Sequence, residues 1–363
     1  MGFKCGIIGL PNVGKSTIFS ALSTAQAEVA NYPFCTIDPN IGVIAVPDKR
    51  LEHIAGVLKP PKFTYTTIEF VDIAGLVKGA SRGEGLGNKF LGHIRNVDAV
   101  VHVVRCFDDP NVSHVHDTID PVTDNDVVNT ELILADLETV ERRIEKMERL
   151  SRTGDKSHRK ELEFCHALRS SLGRGVAVRN AGIPAGGDVL KELGLITAKK
   201  MLYVANVSET VLKGEGTYLA RIRDVAGRDG TDVIAICGDM EAEIAQLPEN
   251  ERRDFLDDLG IEESGLSRLI TAGYDLLDLI TFYTTAGKEL RAWTVESGTA
   301  ASQAAGRIHS DMQQGFIRAE VLGYDDFTTV SGMAAAKEKG LVRIEGKDYL
   351  LSDGDIVFFR FNV

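Results

Sequence analysis

The sequence GLPNVGKS at residues 9–16 constrains the fold more than any other feature of this chain. It fits the pattern GxxxxGK[ST], follows the apolar run FKCGIIGL (3–10) and precedes the helix-favouring stretch KSTIFSALSTA (15–25). A strand, a glycine loop and a helix in this order are typical of a phosphate-binding loop, because backbone N–H groups and the positive end of the helix dipole face the anion. The alternative is a surface glycine turn before a helix.

The residue types in this loop indicate separate tasks. Lys15 would reach the β- and γ-phosphates of a nucleotide, and Ser16 would ligate magnesium. The backbone N–H groups of 12–16 would surround the phosphate oxygens. The loop residues expected to contact a nucleotide are Asn12, Val13, Gly14, Lys15, Ser16 and Thr17.

A second phosphate-side motif, DIAG (72–75), ends the predicted strand TTIEFVDIAG (66–75). Asp72 would hold magnesium directly or through water, and the N–H of Gly75 would face the γ-phosphate. The glycine-rich run that follows is costly to order without a ligand, which favours a nucleotide-sensitive switch over a floppy loop. Thr36, in NYPFCT (31–36), would complete the magnesium shell, unless it is an ordinary loop threonine.

Three further apolar runs predict strands at AVVHVVRCF (99–107), MLYVANV (201–207) and DVIAICG (232–238). Short, continuously apolar strands between helical segments indicate a parallel sheet covered on both faces. Residues 130–175 lack strand signals and carry apolar residues at helical spacing, including Leu137, Val140 and Ile144. This pattern predicts an antiparallel helical hairpin inserted in the α/β domain.

The tail has a different texture, with β-rich segments separated by turns and one helical stretch, AASQAAGRIHSDMQQG (300–315). EGKD (345–348) suggests a hairpin. We therefore predict an α/β P-loop NTPase domain over 1–129 and 199–278, an inserted helical arm over 130–198 and a separate α+β domain over 279–363.

Composition bounds the setting of this fold. The net charge of −12 and the pI of 5.2 argue at first against a nucleic-acid partner. The segment 137–175, however, holds ten Lys/Arg against seven Asp/Glu, which leaves −15 on the other residues and makes the arm a candidate RNA contact. The alternative is a solvated hairpin with i,i+4 ion pairs. Five scattered cysteines without a CxxC pattern, no long apolar run and no signal-peptide pattern predict a cytoplasmic protein without disulfides or membrane contact.

The base-reading position departs from the guanine pattern. A GTPase that reads guanine presents NKxD after a later strand, whereas here the strand MLYVANV leads into Asn206, Val207, Ser208 and Glu209. The glutamate is one methylene longer than the aspartate that accepts from two guanine donors, and valine replaces the lysine. This argues against guanine selectivity and makes adenine a candidate. The alternative is that 206–209 is an ordinary strand-to-loop segment.

The segments GLPNVGKST, ANYPFCTIDPN, DIAGLVKGASRGEGLGNKFL, NVSE and GFIRAEV resemble the Obg-like ATPase family, also called YchF, over essentially all 363 residues. The resemblance implies a P-loop GTPase fold that prefers ATP, an inserted coiled-coil arm, a β-grasp-like TGS domain at the C-terminus and association with ribosomes in translation or stress responses. It also assigns Asn206 to the adenine edge and places Cys237–Met240 in the last base-contacting loop. The base contacts it implies are Asn206, Val207 and Cys237.

The machinery for hydrolysis is the least regular part of the pattern. Leu76 stands where many GTPases hold a glutamine that orients water, and a leucine side chain forms no hydrogen bond. Asn12 would hold an activating potassium ion, as in related GTPases, unless it only shapes the loop. The family resemblance points to His114, in DDPNVSHVHD (108–117), as the hydrolysis residue, and histidine can move protons near neutral pH. The alternative is a solvated loop histidine. The predicted catalytic residues are thus His114, Asn12 and Lys15.

These expectations combine in one function: a slow ATPase that needs Mg²⁺ and acts as a monomeric, nucleotide-dependent switch on the ribosome. ATP and the ribosome, with its large subunit, rRNA or tRNA, are the expected partners. One rival is a nucleotide-gated RNA- or ribosome-binding protein in which hydrolysis is incidental. The others are a GTP-specific ribosome factor, which Glu209 disfavours, and a small-molecule kinase, which the switch-like run after Asp72 disfavours.

Overall fold

The computed structural model describes residues 3–27, 40–73, 86–114, 118–151, 156–183, 188–212, 216–286 and 288–362. The chain divides into two compact units. Unit 1 comprises Met1–Val43 and Glu69–Gly273, and unit 2 comprises Ile44–Ile68 and Tyr274–Val363. Thr36, Gly75 and Leu76, on which three predictions rest, lie outside the described residues.

Within the described residues, two six-stranded sheets form. The strands in chain order are β1 (Lys4–Ile8), β2 (Ile41–Ala45), β3 (Lys62–Thr64), β4 (Thr67–Asp72), β5 (Ala99–Cys106), β6 (Lys200–Val207), β7 (Val233–Ile236), β8 (Leu279–Ala286), β9 (Glu289–Glu296), β10 (Phe316–Leu322), β11 (Arg343–Glu345) and β12 (Ile356–Phe361).

The helices lie between these strands. In chain order they are α1 (Lys15–Ala27), α2 (Lys49–Leu58), α3 (Leu86–Arg95), α4 (Pro121–Ser151), α5 (Lys156–Gly173), α6 (Asp188–Leu193), α7 (Glu209–Leu212), α8 (Thr217–Asp229), α9 (Gly238–Ile244), α10 (Glu249–Asp258), α11 (Gly265–Leu276), α12 (Ala301–Ile308), α13 (Ser310–Gln314), α14 (Tyr324–Thr328) and α15 (Met333–Glu338). None of the described helices is long and apolar enough to cross a membrane.

The first sheet has the order β2-β4-β1-β5-β6-β7. Strand β1 pairs in parallel with β4 and β5, and β6 pairs in parallel with β5 and β7. All eight residues of β5 are buried, as expected of a central parallel strand with helices on both faces. The predicted parallel arrangement is therefore confirmed for these five strands. The edge strand β2 runs antiparallel to β4, since the N–H of Val46 donates to the Thr66 carbonyl and that of Asp72 to the Asn40 carbonyl, and the sheet is mixed. Because the parallel strands run in one direction, the segments that follow them meet at one edge of the sheet, where α/β proteins bind ligands.

The predicted inserted hairpin is also present, and its first helix is longer than the periodicity indicated. Helix α4 begins at Pro121 rather than near residue 130, and α5 returns along it. The two helices share an apolar core to which both contribute: Ile133, Val140, Ile144, Cys165, Leu168 and Leu172. At the root of this arm, Asp136 accepts hydrogen bonds from the N–H groups of Ile196 and Thr197, at 2.9 and 2.7 Å. Burial raises the pKa of this carboxyl group.

The second sheet belongs to unit 2 and has the order β11-β10-β12-β8-β9-β3. Its β3 and the helix α2 come from 44–68, so this unit includes a segment that the pattern of the tail alone did not predict. The carboxylate of Asp48 begins α2 by accepting from the N–H groups of Arg50 and Leu51. The hydroxyl of Tyr283 on β8 donates to Asp48 Oδ2 at 2.6 Å. The three-part division into 1–129 with 199–278, 130–198 and 279–363 stays a prediction.

Two local predictions in the tail differ from the structure. The stretch 300–315 forms two helices, α12 and α13, because His309 between them is extended with φ −159°. The hairpin predicted at EGKD is wrong, since β11 pairs with β10 and residues 349–351 pair with 299–301. The N–H of Ala301 donates to the carbonyl oxygen of Tyr349 at 2.7 Å, and the N–H of Leu351 donates to that of Thr299 at 3.1 Å.

We predict that Asp48→Ala destabilises unit 2. The change removes the cap of α2 and leaves the buried Tyr283 hydroxyl without its acceptor, which together cost about 1–3 kcal/mol. The single tryptophan, Trp293, lies on β9 of unit 2, so its fluorescence during urea unfolding reports on that unit. The midpoint should fall more than in Asp120→Ala, which removes the cap of α4 in unit 1. If Asp48→Ala does not change the urea midpoint that Trp293 fluorescence reports, the assignment of 44–68 to unit 2 is contradicted.

Candidate nucleotide-binding site

The glycine loop of residues 9–14 connects the end of β1 to the start of α1, as the motif predicted. Lys15 begins the helix and is buried, whereas Ser16 is exposed. The Lys15 ammonium donates to Asp72 Oδ1 at the end of β4. The structure therefore brings together the two motifs that the sequence separates by 57 positions. A cation and a carboxylate stand where phosphate and a hard metal ion would be bound.

Asn206, at the end of β6, joins the glycine loop to the loop after β7. Its Nδ2 donates to the Val13 carbonyl oxygen and its Oδ1 accepts from the Gly238 N–H, both at 3.0 Å. Gly14 has φ +87°, and a Cβ built there would lie 2.0 Å from Asn206 Nδ2. Glycine at position 14 is thus required both by the left-handed backbone and by the close approach of this amide.

A cavity of about 470 Å³ opens beside this junction. It is lined on the loop side by Asn12, Gly14 and Thr17. The remaining lining residues are Phe107, Asp108, Asp109, Val112, Asn206, Val207, Ser208, Glu209, Cys237, Asp239, Met240, Glu243, Phe255 and Leu259. Nine of these seventeen residues have polar side chains, five of them carboxylates, and the others are glycine or apolar and aromatic residues. A cavity that combines apolar contact area with polar groups can bind a small molecule.

The predicted base-side residues lie together at this cavity. Asn206 still has one amide hydrogen and one lone pair after its two bonds, which is the capacity needed for an adenine edge. Val207 is buried, and Glu209 is exposed at the first position of α7. Burial raises the pKa of the Cys237 thiol, so this residue is a neutral wall at pH 7 rather than a nucleophile.

The loop that follows β5 carries the predicted hydrolysis residue and touches the glycine loop. Asn12 has φ +61°, and its Nδ2 donates to the backbone oxygen and to Oγ of Ser113, at 3.2 and 3.1 Å. Among the described residues, no donor is bonded to Asn12 Oδ1. That oxygen has the chemistry of a potassium ligand, which keeps the predicted role of Asn12 chemically open.

His114 does not line the cavity. Its Nε2 lies 2.9 Å from Asp124 Oδ2 in the first turn of α4, and its side chain is only 6% exposed. The structure therefore differs from the alternative of a solvated loop histidine, because Asp124 holds the ring. Asp124 was not singled out in the sequence, because it precedes the predicted helical arm (130–198) and no pattern there connects it to the histidine.

Several other residues of the site were missed from the sequence. Phe107, Phe255 and Leu259 belong to the apolar part of the cavity lining, together with Met240 of the base-contacting loop that the family resemblance implied. Phe107 is the last residue of the predicted strand 99–107, and its place as an aromatic residue at a strand end was the available signal. Phe255 and Leu259 belong to the region of α10, and no pattern in the sequence connects it to β6.

We predict that Gly14→Ala destabilises unit 1 and that Gly175→Ala is its matched control. Both glycines have positive φ, +87° and +76°, but a Cβ at position 175 meets nothing within 4 Å. The control should cost about 1 kcal/mol of backbone strain, and Gly14→Ala about 1–3 kcal/mol more because the Asn206 bonds are disturbed. Urea unfolding followed by circular dichroism measures both. Equal losses in the two variants would show that the contact with Asn206 contributes nothing.

Comparison with known proteins agrees with this geometry. The family profile YchF-GTPase_C, described as a protein of unknown function, matches residues 279–362, and a profile described as a 50S ribosome-binding GTPase matches residues 4–148. Curated proteins named ribosome-binding ATPase YchF are similar over the whole chain. That of Haemophilus influenzae is 50% identical over 364 residues, and that of Bacillus subtilis is 50% identical over 366, each alignment covering 100% of both chains.

Solved structures give the same result for the fold. The YchF GTPase of Schizosaccharomyces pombe has a TM-score of 0.89 and 34% sequence identity, with 99% of this chain and 98% of that chain covered. A GTP-binding protein from Pyrococcus horikoshii has a TM-score of 0.64 at 19% identity and supports the fold alone. The P-loop GTPase fold with its inserted hairpin and its C-terminal YchF domain is therefore present, and the chain belongs to the YchF family.

Proposed function

We propose that this protein is a slow, ribosome-associated ATPase whose nucleotide state acts as a switch in translation or in a stress response. The observation that carries the proposal is the convergence of Lys15, Asp72 and Asn206 at one edge of the parallel sheet, beside a cavity with an apolar wall. Relatives that match the whole chain are named ribosome-binding ATPases. The chain acts as a monomer in the cytoplasm, where ribosomes are.

The base-side chemistry supports ATP over GTP. Guanine presents two adjacent donors that an NKxD aspartate accepts together, and this chain has the longer Glu209 at that position. Adenine presents one donor and one acceptor, which match the remaining lone pair and amide hydrogen of Asn206. The buried Val207 and the neutral Cys237 add apolar contact area for either base.

Magnesium fits the oxygen ligands on the phosphate side. The exposed Ser16 hydroxyl and the Asp72 carboxylate would hold the ion, with Thr36 as the third predicted ligand and Gly75 facing the γ-phosphate. Bound there, Mg²⁺ would neutralise charge on the phosphate oxygens. Asn12 Oδ1 would ligate a potassium ion, which would also neutralise charge on the phosphate oxygens. The backbone N–H groups of residues 12–16 would hold the phosphates themselves.

Hydrolysis is the transfer of the terminal phosphoryl group to water, which gives ADP and phosphate. In this proposal Lys15 stabilises charge on the phosphate oxygens, and His114 positions the water or accepts its proton. The contact between Ser113 and Asn12 holds the histidine loop against the glycine loop. The Asp124 carboxylate fixes the orientation of the ring through Nε2.

Two surfaces would face the ribosome: the exposed basic residues of the arm and the C-terminal domain. In the arm, Arg142, Arg143 and Arg159 are engaged in ion pairs with glutamates. Lys146 and Arg149 on α4, and Lys160 and Arg169 on α5, are exposed and make no ion pair within the described part of the chain. These four would contact phosphates of rRNA or tRNA, most simply on the large subunit. The tail would dock as a TGS-type module, a proposal that rests on analogy of fold.

One observation favours a second function, a nucleotide-gated ribosome-binding protein in which hydrolysis is incidental. His114 is turned toward Asp124 and is absent from the lining of the cavity. A switch of this kind would need only nucleotide binding to change its affinity for the ribosome. The two functions differ in whether loss of hydrolysis blocks release from the ribosome.

We predict that the purified protein binds non-hydrolysable ATP analogues more tightly than the corresponding GTP analogues. The reason is the loss of the paired acceptor for guanine at position 209, since a poorly matched hydrogen-bonding edge costs about 1–3 kcal/mol, or about five- to 150-fold. Equilibrium titration measures both affinities. Lys15→Met is the control, because it should weaken both nucleotides to a similar degree. Tighter GTP binding by tenfold or more would defeat the base assignment.

We predict that His114→Ala lowers the single-turnover rate of ATP hydrolysis by about 10²-fold or more, as expected for a group that acts on the attacking water. Nucleotide affinity should stay within about twofold, because His114 does not line the cavity. Asp124→Asn should cause a smaller loss, since it keeps the shape and removes the charge that orients the ring. Cosedimentation with ribosomes after ATP addition completes the test. Release that stays normal in a hydrolysis-deficient variant supports incidental hydrolysis over the switch.

A further inference from the structure

Arg105, the penultimate residue of β5, is 1% exposed and turns its guanidinium into the loop that follows its own strand. Its Nε donates to the carbonyl oxygen of Phe107 at 3.2 Å, and its Nη2 donates to that of Asp109 at 3.2 Å. Its Nη1 donates to the carbonyl oxygen of Val112 at 3.0 Å, with a longer contact of 3.5 Å to that of Ser113. All three guanidinium nitrogens are thus bonded to one loop.

This arrangement is unusual for a buried charge. A cation removed from water normally has a carboxylate partner, yet no carboxylate in the described residues pairs with Arg105. Backbone carbonyl groups solvate the charge instead, and they do so only while the loop keeps its curvature. The planar fork of arginine can reach several carbonyls in different directions, which the single ammonium of lysine cannot do.

The loop that Arg105 holds contacts the candidate nucleotide site in two places. Phe107, Asp109 and Val112 line the cavity on its base side. The guanidinium carbon also lies 4.6 Å from the centroid of the Phe107 ring, so the aromatic wall is held by the same group. At the other end of the loop, Ser113 accepts from Asn12 of the glycine loop, and His114 follows.

We infer that Arg105 is a positioning residue that builds the base-side wall and the hydrolysis loop of the site from one buried guanidinium. Base affinity and the rate of phosphate cleavage therefore depend on the same side chain, although Arg105 touches neither base nor phosphate. The inference rests on the proposed function, because it assumes that the cavity holds a nucleotide and that the loop takes part in hydrolysis.

The test uses the full chain with Arg105→Met and Arg105→Lys. Arg179→Met is the matched control, since Arg179 is a poorly exposed arginine of unit 1 that bonds Asn129 and Asp229 and lies outside the cavity lining. Titration with ribose-labelled fluorescent ADP gives the affinity and the number of sites, and single-turnover hydrolysis at saturating ATP gives the rate. For Arg105→Met we expect at least a tenfold weaker affinity and at least a tenfold lower rate, because the loop loses three charge-assisted bonds. Arg105→Lys should fall between this variant and the wild type, because it restores the charge without the fork.

The number of binding sites separates positioning from general damage. A variant that is merely partly unfolded has fewer sites of normal affinity, whereas a misplaced loop leaves the number of sites near one and weakens each. If Arg105→Met does not fold, Arg105→Lys decides by the same two readouts. The inference is overturned if the folded variants keep wild-type affinity and rate, or if Arg179→Met changes both equally. A wild-type protein that neither binds nor hydrolyses ATP would instead defeat the proposed function.

Discussion

The carboxamide of Asn206 bonds two backbone groups that lie far apart in the chain, the Val13 carbonyl and the Gly238 N–H. Both bonds are buried, so each group would lose its partner without gaining water if the amide were removed. This side chain therefore fixes the distances between three elements: the glycine loop, the end of β6 and the start of α9. The shape of the cavity depends on those distances, and Gly14 has to lack a side chain for the amide to fit.

The sequence allowed these residues to be expected at one place because its signals are local. A strand, a glycine loop and Lys15 follow one another directly, and Asp72 ends a run of alternating apolar residues. The parallel sheet then brings the ends of separate strands to one edge, whatever lies between them in the chain. That is why Lys15 and Asp72 could be expected to meet and why Asn206 could be placed near them, although its bonds to Val13 and Gly238 could not be foreseen.

The parts that the sequence did not predict depend on contacts with no local pattern. The segment 44–68 joins unit 2 because Leu51 and Ile54 pack with Tyr283 and because Asp48 accepts from the Tyr283 hydroxyl. An apolar helical face indicates that a helix is buried but does not name its partner. The burial of Arg105 was equally unpredictable, because a charged residue at the end of an apolar strand usually marks the point where the chain reaches solvent. The guanidinium is buried because the loop after β5 curves around it and places carbonyl oxygens against it, which no local sequence pattern predicts.

The position of α4 gives the arm a direct relation to the site. Asp120 caps the helix, and Asp124, one turn later, holds the ring of His114. Lys146 and Arg149 lie toward the far end of the same helix, about six to seven turns from Asp124 at 3.6 residues per turn, and the other two exposed basic residues named above lie on α5. The helix whose first turn holds His114 therefore also carries part of the exposed basic surface of the arm. The acidity of the whole chain, an average over 363 residues, does not reveal this local arrangement of charge.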